Sequence, residues 1–297
     1  MIGGGHGHHT HPPEVGPVPT VIPDAPKFQV AGHDGHRTLW VVFVLMVIVS
    51  ALFALLSWNT PISRRIFHTI STLTTIISAI AYFAMASGDG SSFNCTRHYD
   101  HHKHVPDTHY DVCRQVYWAR YIDWTLTSSM ILFELFLLAG TSGAYTIMGI
   151  SANIIMFLTG WFSAFGRVHT AQKWGWYAIS VVSYIFVIWH VALNGGQSAR
   201  QRDSTLQKLF GSMAGLALIL WAVYLVVWGV ATNARKTSVN TEIMIYAVLD
   251  VITKAGFGLY ILIAARKTRE SLPEADGYWT HGHGTEGRIR ITDGDGA

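Results

Sequence analysis

The chain has 297 residues, half of them hydrophobic, with 13% charged residues and a formal net charge of +3. Soluble domains carry about a quarter charged residues, so this composition argues against an ordinary water-soluble globule and for lipid as the solvent. The basic residues form no long run, and a nucleic-acid partner is not expected.

Residues 1–37 are rich in Gly, Pro and His and hold no apolar run of the kind a signal sequence needs. They are expected to form a disordered tail. His6, His8, His9 and His11 could chelate a metal, but a flexible tail lacks preorganised ligand geometry, and no metal site is assigned. Seven apolar segments follow, each near the ~20 residues that cross a bilayer: Leu39–Trp58, Ile66–Ser87, Val116–Ala139, Tyr145–Gly166, Trp174–Leu193, Leu209–Thr232 and Val239–Ala265. From about Pro273 the chain turns polar and Gly/Asp-rich. The predicted organisation is a tail over 1–37, a membrane domain over 38–268 and a polar C-terminal tail over 269–297. The expected fold class is an all-α membrane protein, a bundle of seven transmembrane helices.

A long histidine-rich loop separates the second and third segments and holds both cysteines, Cys95 and Cys113. If it faces an oxidising compartment, their spacing suits a disulfide; otherwise they are two unrelated thiols. Asn94-Cys95-Thr96 in the same loop is a formal N-glycosylation acceptor. Basic residues flank the segments about equally at both ends, so charge alone gives no orientation. The cysteine pair and the sequon favour this loop outside, with the N-terminus outside and the C-terminus in the cytoplasm.

Two segments carry charges at membrane depth. The third holds Arg120, Asp123 and Glu134; the seventh holds Glu242, Asp250 and Lys254. Such groups are costly in a bilayer and mark functional sites, although a structural ion pair locking two helices is the plainer alternative. Asp250 and Lys254 are four apart and share a helix face; so do Arg120, Asp123 and Thr127. Glu134 lies eleven residues beyond Asp123, close to three turns, which returns it to the same stripe roughly 16 Å along the axis. A buried amine between the levels of two carboxylates is a proton relay if the amine can switch its affinity or access. A bare lysine cannot switch on command, whereas one attached to a light-isomerising chromophore can. Aromatic residues suited to such a group occur at Trp124 and at Trp221, Tyr224 and Trp228, with Met156 one turn before Gly160 on the fourth segment. An aromatic stripe alone is more often helix packing.

The strings Tyr117-Trp118-Ala119-Arg120-Tyr121-Ile122-Asp123-Trp124 and Leu249-Asp250-Val251-Ile252-Thr253-Lys254-Ala255-Gly256-Phe257-Gly258 resemble the signatures of microbial (type 1) rhodopsins, whose archaeal pump is bacteriorhodopsin. The resemblance spans all seven segments, and the histidine-rich tail with Glu134 is similar to the fungal branch. It implies a light-driven outward proton pump, a transporter rather than an enzyme, with all-trans retinal as a protonated Schiff base on Lys254. It further implies Asp123 as counterion and proton acceptor, Asp250 as second counterion, Arg120 as a gate, Thr127 as a hydrogen-bond donor to the acceptor, Glu134 as cytoplasmic proton donor and Ser71 as its hydroxyl partner. Trp124, Trp221 and Trp228 would enclose the polyene, joined by Met156, Gly160 and Tyr177, and Tyr224 would bond Asp250. Glu242 matches one of two release carboxylates, the partner position near Thr232 or Asn233 being neutral. A trimer in the plasma membrane follows by the same analogy.

Several residues depart from the family pattern. Ser129 and Leu225 stand where prolines are usual, Tyr177 replaces a pocket tryptophan, and Asn153 replaces a buried aspartate. Thr253 matches archaeal phototaxis receptors, which keeps a light receptor with a transducer partner as the second reading and predicts a blue-shifted absorption. Glu134 favours the pump, because a receptor gains nothing from fast reprotonation. The acid at Asp123 disfavours an anion pump, Lys254 disfavours a non-photic opsin-like role, and a cation channel would need more polar helices.

Overall fold

The computed structural model describes residues 24–62, 65–103 and 107–267. The four tail histidines and the stretch from Pro273 lie outside the described residues. Among the described residues, seven helices are long and apolar enough to span a membrane: α1 His33–Trp58, α2 Ile66–Ser87, α3 Trp118–Ala139, α4 Gly143–Phe165, α5 Ala171–Arg200, α6 Ser204–Asn233 and α7 Val239–Arg266. Successive helices from α1 to α5 pack side by side, and α7 returns against α1 and α2 to close the ring.

The solvent these helices expect is written in their outer faces. On α1, Leu39, Val42, Met46, Ser50 and Phe53 are buried, while Val41, Val44, Ile48, Leu52 and Leu55 are exposed. Both sets repeat at three- and four-residue spacing, so one helix carries an inward stripe and an equally apolar outward stripe. In water the outward stripe would be a liability; against lipid it is the required surface. Helix ends follow local chemistry. The Thr170 hydroxyl accepts the Lys173 amide at 3.3 Å and the Ser238 hydroxyl accepts the Thr241 amide at 3.1 Å, capping α5 and α7. Gly140 closes α3 at φ 69°, a left-handed conformation that favours glycine.

Three helices contain a wider, π-helical stretch: Trp189–Gly195 in α5, Trp228–Asn233 in α6 and Val251–Gly256 in α7. The last of these carries Lys254. Such turns recur at functional sites in long helices.

The long loop forms a small sheet rather than irregular chain. Strands β2 Ser92–Asp100 and β3 Thr108–Val116 pair antiparallel, and β1 Lys27–Gln29 adds in parallel along β3. Cys95 and Cys113 sit opposite each other across β2 and β3 and are joined as a disulfide. The sheet is tied to the bundle: the Ala31 amide donates to Gln115 Oε1 at 3.0 Å, and the Gly32 amide donates to Asn240 Oδ1 at 2.7 Å.

Most predicted segments match the helices to within a few residues, but α1 starts six residues before Leu39 and α5 runs seven beyond Leu193. Strand β1 and the first turn of α1 fall inside the stretch expected to be tail. Asn94, the sequon residue, is buried; its Nδ2 donates to the carbonyls of Ala164 at 3.0 Å and Gly166 at 3.2 Å. That nitrogen is the one a glycan would need, so the fold corrects the sequon to a structural bracket between the sheet and α4.

Candidate functional site

The charged residues of α3 and α7 meet at the centre of the bundle. Lys254 Nζ lies 2.5 Å from Asp123 Oδ2 and 2.9 Å from Asp250 Oδ1. Both carboxylates are fully buried and the lysine side chain is 2% exposed. The two anions therefore share one cation, out of reach of bulk water.

Their hydrogen-bond environments differ. Asp250 accepts from the Tyr82 hydroxyl at 2.6 Å, the Tyr224 hydroxyl at 2.7 Å and the Trp124 indole at 2.9 Å. Asp123 accepts from the Ser78 hydroxyl at 2.8 Å. The Thr127 hydroxyl, expected on the Asp123 carboxylate, donates instead to the Asp123 main-chain carbonyl at 2.7 Å. A hydroxyl four residues on in a helix falls most easily on that carbonyl, and Ser78 from α2 takes the carboxylate. Thr253 Oγ1 lies 3.1 Å from the Tyr224 hydroxyl, linking α7 to α6 beside Asp250.

A small cavity of about 10 Å³ opens at the amine. Its walls include Trp124, Phe157, Trp221 and Tyr224, with Thr127, Ser128, Thr253 and Lys254 supplying the polar lining. Trp228 lies against this wall: a Cβ on Gly160 would fall 1.5 Å from its ring, so Gly160 is where α4 admits the indole. Met156 is buried one turn earlier, its carbonyl accepting the Ser180 hydroxyl at 2.8 Å. Tyr177 braces α6, donating to the Leu225 carbonyl at 2.8 Å. Asn153 Nδ2 donates to Ser128 at 2.7 Å and to Ser129 at 3.1 Å, which stitches α4 to α3.

Toward one end of the bundle, Glu134 is buried and accepts the Ser71 hydroxyl at 3.0 Å. Toward the other, beneath the sheet, Arg120 reaches Glu242 at 3.1 Å with its guanidinium 4.7 Å above the Tyr246 ring. Arg114 from β3 holds the second Glu242 oxygen at 2.8 Å. Thr232, at the neutral position, stands 3.4 Å from the same carboxylate. Glu242 is thus shared by two arginines.

Sequence reading missed Ser78, Tyr82, Tyr246 and Arg114 as site residues. For the first two the signal was present: Ser71, Ser78 and Tyr82 fall at i, i+7 and i+11, one face of α2. Arg114 gave none, because its burial depends on a sheet folding over the helix ends.

A family model described as bacteriorhodopsin-like protein matches residues 36–268. The chain is 53% identical over 281 residues to Opsin-1 of Neurospora crassa, covering 94% of this chain and 92% of that protein. Among solved structures, the light-driven proton pump of Leptosphaeria maculans is 50% identical with a TM-score of 0.79, covering 83% of this chain and 100% of that one. The light-driven proton pump rhodopsin of Coccomyxa subellipsoidea is 29% identical with a TM-score of 0.72, covering 80% and 99%. The seven-helix bundle, the lysine held between two carboxylates and these similarities together make the chain a member of the bacteriorhodopsin-like family, an integral-membrane microbial rhodopsin.

Proposed function

We propose that this protein is a light-driven outward proton pump with all-trans retinal on Lys254. The observation that carries this reading is the line of ionisable groups through the bundle: Glu134 with Ser71, then Lys254 between Asp123 and Asp250, then Arg120 with Glu242. The two similar structures described as light-driven proton pumps support it.

The residues fit the chromophore. The amine borders a cavity with aromatic walls, and glycine at 160 keeps α4 clear of the packed indole beside it. Trp124, Trp221 and Phe157 would hold the polyene. Bound to Lys254 as a protonated Schiff base, retinal supplies a light-driven isomerisation that changes the proton affinity and access of the nitrogen.

The chain's own groups then divide the work. Asp250 is held by three neutral donors besides the lysine, and taking a proton would disrupt that set. Asp123, with Ser78 as its neutral donor, gives up less and is the acceptor. Glu134 is buried, and its hydrogen-bond partner among the described residues is the Ser71 hydroxyl; it stores a proton for return to the nitrogen. Arg120 and Arg114 hold Glu242 at the exit, so a proton arriving there meets a carboxylate already balanced by two cations. The disulfide and the N-terminal strand lie at that same end, which favours the N-terminus outside, the C-terminus in the cytoplasm and residence in the plasma membrane.

A second reading, a light receptor with little net transport, draws on the Thr253–Tyr224 contact. One experiment separates them: the external pH of unbuffered cells expressing the protein with all-trans retinal, under illumination, with and without a protonophore. The pump gives light-driven acidification that the protonophore abolishes, and Glu134→Gln slows its reprotonation step by roughly a hundredfold. A protein that binds retinal and bleaches yet moves no protons is the receptor.

A further inference from the structure

Cations outnumber carboxylates at the end of the bundle that carries the sheet. Arg114 and Arg120 already share Glu242. Lys173, in the first turn of α5, is completely buried, and its Nζ has no hydrogen-bond partner among the described residues. Its stem lies against Gly166, where a Cβ would come 3.0 Å from that of Lys173. Ser163 ties this lysine to the end of α6, its hydroxyl lying 2.9 Å from the Lys173 carbonyl and 2.7 Å from Asn233 Oδ1. Asn233 is 2% exposed, and its Nδ2 is likewise unpartnered. Two residues on, Arg235 reaches the Asn94 carbonyl at 3.4 Å through Nη2 and leaves Nε without an acceptor. Arg114 and Arg235 both lie within electrostatic range of Lys173, with Glu242 as the opposing charge.

A buried donor without an acceptor is costly, and an unpaired buried ammonium more so. Three buried donors in this region, from α5, the end of α6 and the α6–α7 turn, each lack an acceptor among the described residues. Water could accept from them but would leave the charge on Lys173 facing two arginines. Turning the Asn233 amide over would give the lysine a neutral acceptor and still no counter-charge. We propose that Lys173, Asn233 and Arg235 bind a small inorganic anion of about the size of chloride, entering past the half-buried Arg235 from the aqueous phase on the sheet side. The crowding of positive charge registers on Arg235 itself: burial first, and Arg114 second, push its pKa down to about 10 against the pull of Glu242.

The test is thermal unfolding of the full-length, retinal-loaded protein in lipid nanodiscs, followed by circular dichroism while chloride replaces gluconate at constant ionic strength. The wild type is expected to gain about 5 °C in Tm, saturably, as chloride passes from far below to roughly a hundredfold above its Kd. Asn233→Asp, which supplies a fixed negative charge at the proposed site, is expected to be insensitive to chloride, and Lys173→Met to lose the response. Crystals grown in bromide should show an anomalous peak in contact with Lys173 Nζ. A flat wild-type titration overturns the site, as does a full chloride response retained in Asn233→Asp. A bromide peak found elsewhere but not at Lys173 overturns it as well.

Discussion

Two aspartates flank one amine, and their neighbours tell them apart. Tyr82, Tyr224 and Trp124 commit Asp250 to an accepting role, while Asp123 has Ser78. Asp123→Asn keeps the shape and removes the proton acceptor, so light-driven acidification is expected to fall by roughly a hundredfold or more, measured in the same cell assay. Thr253→Ala removes the hydroxyl that touches Tyr224 and is expected to move the visible absorption maximum to longer wavelength; an unchanged spectrum would leave that contact without a part in colour. Lys254, Asp123 and Asp250 were legible in the sequence because formal charge at membrane depth is rare and expensive. Thr127 was misplaced because its partner came from the resemblance, which carries a position and not a rotamer: its hydroxyl turned to the main chain one turn back. Arg114 was invisible because its surroundings are made by a sheet that hydropathy does not reveal.

At the level of elements, hydropathy found the helices and overlooked the strands. β2 and β3 are polar and histidine-bearing, and what makes them strands is mutual pairing with a covalent link at Cys95–Cys113. That link closes a span of 18 residues, so Cys95→Ser is expected to cost about 3 kcal/mol, read as a lower Tm that reductant reproduces in the wild type and does not lower further in the variant. The loss should be felt past the loop, because Arg114 follows Cys113 directly and carries the sheet's grip on Glu242. Helix ends beyond Leu39 and Leu193 were harder to read: polar residues there, such as His33, Asp34, Ser198 and Arg200, continue the helix outside the apolar span that pattern reading detects.

For the molecule as a whole, the two ends of the bundle are chemically unlike. One carries a disulfide-linked sheet and a knot of arginines around Glu242; the other approaches Glu134, whose described hydrogen-bond partner is Ser71. The proposed orientation rests on this asymmetry, because surface charge is spread evenly over both ends. An epitope placed before β1 is therefore expected to be stained by antibody in intact cells, and one placed after α7 only in permeabilised cells; the reverse pattern would invert the proposed direction of transport.

The π-helical stretch at Val251–Gly256 confines the effect of a one-residue deletion within it to the site itself. A π-helical turn accommodates one residue more than the α-helical turn it replaces. Removing Ile252 from that stretch would leave a chain that can form a helix of ordinary pitch, with every charged residue kept. Because the wide turn already absorbs its extra residue, the segment beyond such a deletion would stay in register with the segment before it, whereas the same loss from a regular α-helical stretch would rotate everything beyond it by about 100°. Gly258, against which Phe53 and Ser71 close, would keep its place, while Asp250 and Lys254 would stand three residues apart instead of four. Such a shortened chain would pack its helix ends as before and change only how the amine meets its two carboxylates, so chain length within this turn is as much a part of the site as the residues that fill it.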